Sequence, residues 1–94
     1  MFAVTVTLTL HPGTRAAFLP LMTENARRSL ADEPGCRQFD ICTDGAEQVF
    51  LYEIYDSAAA FDAHLDSAHF KAFDAQVAGM IAEKTVTTWD EVIR

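Results

Sequence analysis

Positive charge is scarce in this chain. Seven lysines and arginines stand against fourteen aspartates and glutamates in 94 residues, a formal net charge of −7. Nucleic-acid binding needs a basic surface to displace counterions from phosphates. An acidic membrane surface repels such a protein, so neither partner is expected. No apolar run approaches the ~20 residues needed to span a bilayer. The N-terminal MFAVTVTLTL lacks the basic flank of a signal peptide and alternates like a strand; the cytoplasm is the expected compartment. Cysteine is also rare. Cys36 and Cys42 would lie roughly 20 Å apart along one strand, beyond disulfide reach, and two thiols without matching ligands make a poor zinc site. Both are expected to be free and reduced. No Gly-rich phosphate loop, dinucleotide fingerprint or G-x-S-x-G elbow occurs, and nothing marks a flavin or haem site. No cofactor is expected.

What is present is apolar: half the residues are hydrophobic, which fits one small globular domain spanning 1–94. A core this limited gains from association with a second copy.

Residues 2–11 alternate. Phe2, Val4, Val6, Leu8 and Leu10 point one way and the threonines the other, which predicts a strand. His11-Pro12-Gly13-Thr14 breaks it, with Thr14 able to cap a helix. Residues 15–32 carry a helical arc of Phe18, Leu19, Leu21, Met22, Ala26 and Leu30; Pro20 within it predicts a kink or a late start. Asp32-Glu33-Pro34-Gly35 ends that segment. Strands are predicted over 36–43 and 48–55, joined by a hairpin turn at Asp44-Gly45. The second of them is apolar on both faces, with Val49, Leu51 and Tyr55 on one and Phe50, Tyr52 and Ile54 on the other. A helix starts at Asp56 or Ser57, breaks and recaps at Leu65-Asp66-Ser67, and continues through Phe70, Phe73, Val77, Met80 and Ile81 to about residue 83. A last strand covers 84–92.

The order β-α-β-β-α-β is the ferredoxin-like split βαβ of the α+β class, a four-stranded antiparallel sheet with helices on one face. If the helices cover the Val49 side, Phe50, Tyr52 and Ile54 stay uncovered, and a homodimer with facing sheets is expected.

Glu33-Pro34-Gly35-Cys36 leading into a strand, Leu51-Tyr52-Glu53-Ile54-Tyr55, Ala63-His64-Leu65 and His69-Phe70-Lys71-Ala72-Phe73 together resemble the antibiotic biosynthesis monooxygenase family. The resemblance covers nearly the whole chain. It implies a dimeric α/β barrel with a pocket between sheet and helices, and it points toward small quinol monooxygenases and the phospho-autoinducer-2 isomerase that shares their scaffold. The haem-degrading members differ at the positions that would be Val6, Tyr55 and Asp74 here, so haem chemistry is not implied.

Several residues are candidates for chemistry. His64 shares a helix face with Phe61 and Leu65. It is either a buried histidine bonded to a carbonyl or, as the resemblance favours, a pocket base with a suitable pKa range. Glu53 lies on the helix-covered side of its strand, where a carboxylate must be paired or protonated. His64 is one partner for it, and Arg27 or Arg28 is the alternative. Asn25, on the apolar arc with Ser29 four residues on, either bonds the sheet or donates to a substrate oxygen. Tyr55, Phe70 and Phe73 are core residues or pocket walls. His69, next to the Ser67 cap, bonds locally or touches substrate. The two histidines are five apart across a break, off the i, i+4 spacing of a metal pair, so no metal is expected.

The favoured reading is a cofactor-independent monooxygenase acting on a small hydroquinone or phenol with molecular oxygen. His64 would be the base, Glu53 its support and Asn25 the group holding the substrate oxygen. The alternatives are an isomerase of a small phosphorylated carbonyl compound, with Lys71, Arg27 or Arg28 on the phosphate, or a non-catalytic ligand-binding dimer.

Overall fold

The computed structural model describes residues 1–94. Strand β1 (Phe2–Leu10) is followed by helix α1 (Arg15–Asp32) and strands β2 (Cys36–Thr43) and β3 (Gln48–Tyr55). Helices α2 (Ala58–Asp66) and α3 (Ala68–Val77) come next, then a short 3₁₀ turn (Ala78–Met80) and strand β4 (Ile81–Trp89). The sheet is antiparallel throughout, in the order β2-β3-β1-β4. This is the ferredoxin-like arrangement, with both central strands flanked and the helices on one face. No helix is long and apolar enough to cross a membrane.

The core follows the alternation of the strands. Phe2, Val4, Val6, Leu8 and Leu10 are all buried, and Val49, Leu51, Glu53 and Tyr55 of β3 lie on the same inner face. Helix α1 meets this face with Phe18, Met22, Asn25, Ala26 and Ser29, spacings of three and four that make one stripe. Leu30, read as part of that stripe, is instead 47% exposed, because the contacting arc ends at Ser29. The helix begins at Arg15 rather than after Pro20. Pro20 is exposed, so the carbonyl that loses its donor faces water. Thr14 stands at the N-cap without a side-chain cap bond; its hydroxyl donates to the His11 carbonyl at 2.7 Å.

The helical reading of 56–83 divides in two. Ser67 closes α2 by donating to the His64 carbonyl at 2.7 Å and opens α3 by accepting from the Phe70 N–H at 3.3 Å. The second helix ends at Val77, and residues 81–83, expected in it, belong to β4. Pairing of Ile81 with Leu10 and of Glu83 with Thr9 overrides a spacing of Met80 and Ile81 that fits a helix equally well.

The outer face is only partly open. Phe50 is 40% exposed and Tyr52 half-buried, but Ile54, expected beside them, is fully buried, as is Ala3. Arg94 Nη2 donates to Gln38 Oε1 at 3.4 Å, on the strand farthest from β4. Residues 90–94 therefore cross the outer face at the level of Ala3 and Ile54 and cover that end of it.

Candidate functional site

Between the inner sheet face and the helices lies a narrow cavity of about 60 Å³. That is small against the few hundred Å³ usual for ligand sites, so a bound molecule must be compact or push the lining apart. Thirteen of its eighteen lining residues are apolar, so it favours an aromatic or aliphatic body with few polar groups. Val4 and Val6 form its floor, Phe70 and Phe73 its helical wall, and Lys84 and Val86 of β4 its rim. Strand β4 is exposed along nearly its whole length, and the cavity opens on that side.

Three polar side chains line this apolar space at depth: His64, Glu53 and Asn25, 2%, 3% and 4% exposed. His64 occupies the last turn of α2. Its ring is surrounded by Phe70 at 4.9 Å between centroids, Tyr55 at 5.5 Å and Phe61, nearly parallel, at 6.1 Å. Nδ1 lies 2.9 Å from Glu33 Oε2. A carboxylate accepts, so Nδ1 carries the proton and Nε2, which has no protein partner, presents a lone pair. Burial holds the imidazole below its ordinary pKa, against the opposing pull of the Glu33 carboxylate.

In the sequence Glu33 belongs to a helix-ending turn and to a motif of the family resemblance, and neither marks it as a partner of His64. It is the C-cap of α1, and the turn after it is unusually close to α2: a Cβ on Gly35 would stand 2.5 Å from Ala60 Cβ. Asp56 N–H also bonds the Gly35 carbonyl at 2.9 Å. This contact sets α2 down beside residue 33 and brings the carboxylate to His64.

Glu53 lines the same cavity, but its partner is neither His64 nor an arginine. It accepts from the Tyr55 hydroxyl at 2.6 Å. Burial pushes the Glu53 carboxyl up to about 7; the Tyr55 bond opposes this and the Glu33 charge adds to it. Burial and then the neighbouring Glu53 charge push the Tyr55 phenol up as well, so it stays a donor. Tyr55 is fully buried and stands behind Glu53, outside the cavity lining. Arg27 and Arg28 are engaged on the exposed face of α1 with Glu24 at 2.6 Å and Asp32 at 3.0 Å.

The Asn25 Oδ1 is buried without a hydrogen-bond partner. It bonds neither sheet nor helix through its side chain, and an orphaned polar group of this kind costs about 1–3 kcal/mol. His69 also lies outside the cavity lining; its Nε2 meets Glu33 Oε2 at 2.7 Å. Cys36 is buried and Cys42 exposed, both free. Burial and the charges of Glu33 and Glu53 push the Cys36 thiol up to about 12, which leaves it a poor nucleophile.

Fold and cavity together define a small ferredoxin-like domain that encloses a ligand space with a carboxylate-supported imidazole at its wall. The sequence profile of the antibiotic biosynthesis monooxygenases matches residues 1–76, and the chain belongs to that family. Rv0793 of Mycobacterium tuberculosis, whose name assigns it provisionally to the monooxygenases, is 32% identical over 80 residues, 83% of this chain and 77% of its own. Its solved structure superimposes with a TM-score of 0.89 at 27% identity, covering 99% of this chain and 96% of that one. A Nitrosomonas europaea structure assigned provisionally to the same family gives a TM-score of 0.90 at 26% identity, covering 99% and all of the respective chains.

Proposed function

We propose that the protein is a cofactor-independent monooxygenase of a small hydroquinone or phenol, acting as a cytoplasmic homodimer. Membership of the family, and the monooxygenase names its relatives carry, support the reaction class. The finer reading rests on one observation. His64 has its Nδ1 taken by Glu33, while its other nitrogen is free on a ring that lines an apolar cavity.

A hydroquinone carries its own reducing electrons, and removing a hydroxyl proton makes them available to oxygen. His64 Nε2 takes that proton, and Glu33 stabilises the imidazolium. The Asn25 amide, lacking a protein partner, engages the substrate oxygen. Glu53, titrating near neutrality, hydrogen-bonds the second substrate oxygen. Hydroquinone and O₂ then give a hydroxyquinone and water: one oxygen atom bonds a ring carbon in place of its hydrogen, and the other leaves as water. The four electrons come from the substrate, so no external reductant enters. Phe70 and Phe73 keep the anion out of bulk water.

The isomerase reading needs cations on a phosphate inside the cavity. Arg27 and Arg28 are paired elsewhere and Lys71 is not at the lining; Lys84 at the rim is the one cation there, a thin provision for a phosphate that favours the oxygenase. Exposed Phe50 and half-buried Tyr52 on the outer sheet face support association with a second copy.

The test is oxygen uptake with a panel of small hydroquinones. His64→Ala, shown to be folded by circular dichroism, should lose roughly 10²–10⁴-fold in kcat/KM. An unchanged rate ends the assignment of His64 as base.

A further inference from the structure

Behind the His64 ring, away from the cavity, two imidazole nitrogens converge on the same two oxygens. His64 Nδ1 and His69 Nε2 lie 2.9 and 2.7 Å from Glu33 Oε2. The same nitrogens lie 3.3 and 3.2 Å from Ser29 Oγ. The Ser29 hydroxyl spends its proton on the Asn25 carbonyl at 3.0 Å, so its lone pairs face the histidines. Two nitrogens and two oxygens thus form a closed ring of four short contacts, and each nitrogen could give up a proton.

We propose that Glu33, His64 and His69 form a binding site for a divalent transition ion of the zinc type, with Ser29 Oγ at the fourth corner. Two histidines and a carboxylate are a zinc donor set, and bonds of about 2.0–2.1 Å at tetrahedral angles place ligand atoms ~3.3 Å apart. The two serine contacts already have that length. The two carboxylate contacts are a few tenths of an ångström shorter, an amount that rotation of the Glu33 side chain supplies. All three ligand atoms lie within 4.8 Å of one another.

The site is held by element ends rather than loops: Ser29 in the last turn of α1, Glu33 at its C-cap, His64 in the last turn of α2 and His69 in the first turn of α3. Ser67, which joins the two short helices, also contacts His69 Nε2 at 3.4 Å. The break at Ser67 is what defeats the spacing argument against a metal. It turns five residues of separation into rings 6.2 Å apart, and the third ligand comes from a distant segment. An ion has a way in, since the side chains of His69 and Glu33 are 12% and 13% exposed. His69 borders a surface depression shared with Glu24, on a chain whose net charge of −7 attracts cations.

Coordination through Nδ1 leaves the imidazole proton on Nε2, so the cavity-facing nitrogen becomes a donor and can no longer take a proton. This consequence rests on His64 being the base; the site itself does not.

The experiment is calorimetric titration of chelator-treated full-length protein with Zn²⁺, paralleled by Co²⁺ absorption. One ion per chain, tetrahedral Co²⁺ bands and a raised Tm are expected. Glu33→Gln and His69→Ala should each weaken binding by roughly 100-fold or more. A folded protein that gives neither heat nor Co²⁺ bands, or binding that survives both substitutions, overturns the site. Zn²⁺ should also inhibit hydroquinone turnover at the concentration that half-fills the site. Binding without inhibition would support the metal site and remove His64 as base.

Discussion

The two sides of His64 are built on opposite principles. Toward the cavity the surroundings are apolar, and the polar groups there, Asn25 and Glu53, are partnered poorly or by a single bond. Toward α1 the surroundings are polar and saturated: Glu33, Ser29 and His69 each make more than one contact at 2.7–3.3 Å. A buried group without a partner is costly to the fold, and such groups persist where something else is to be bound. The saturated side holds a ring in place, and the unsaturated side leaves that ring work to do.

Three substitutions sharpen or break this contrast. The largest effect is expected from Glu53→Gln. Its carboxyl is raised from the ordinary 4.5 to about 7, so ionising it penalises the fold. The native chain is then at its best below about pH 4.5 and loses stability as pH rises through 7. At about 1.36 kcal/mol per pH unit this amounts to about 3 kcal/mol. In chemical denaturation the variant should gain about that much on the native chain near pH 9, and nothing near pH 4. A gap that does not change with pH would mean that the cavity side is not desolvated at Glu53.

Gly35→Ala probes the saturated side. The added methyl would meet Ala60 Cβ at 2.5 Å, so α2 must shift, with a loss of about 1–3 kcal/mol. Turnover should fall together with stability, because the Glu33–His64 contact depends on that approach. A stable variant with normal turnover would show that the pair tolerates misplacement. The smallest effect is expected from Asn25→Leu, which replaces an orphaned amide by hydrocarbon of similar size. Stability should rise by about 1 kcal/mol while KM for the hydroquinone increases. A loss of stability would reveal an amide partner that the fold provides and the geometry does not display.

Much of the architecture is legible in the sequence because period-two strands and the Ser67 recap are local signals. Residues 2–10 alternate so regularly that only one face can be inner, and Asn25, Glu53 and His64 each stand out as polar residues at apolar positions. What escapes is set by contacts across the chain. Glu33 reads as a helix terminator beside Pro34, and its role depends on α2 packing onto Gly35, two residues further on. The start of β4 at Ile81 depends on pairing with β1, since Met80 and Ile81 suit either period. The burial of Ile54 comes from residues 90–94, whose own pattern is too short to show where they lie. Tyr55 reads equally as core or as wall, because strand parity gives the face but not the depth; the structure places it in the core.

Strand β4 carries a further implication. It pairs with a neighbour along one edge only, and every residue in it after Ile81 is exposed. Amide protons on its free edge should therefore exchange with deuterium ahead of those in β1 and β3. On that basis the lip of the cavity is expected to open more readily than the wall that carries His64. For a ligand entering past Lys84 and Val86, the width admitted and the chemistry performed are governed by separate segments, so tolerance for ring size can be altered at the lip without touching the imidazole.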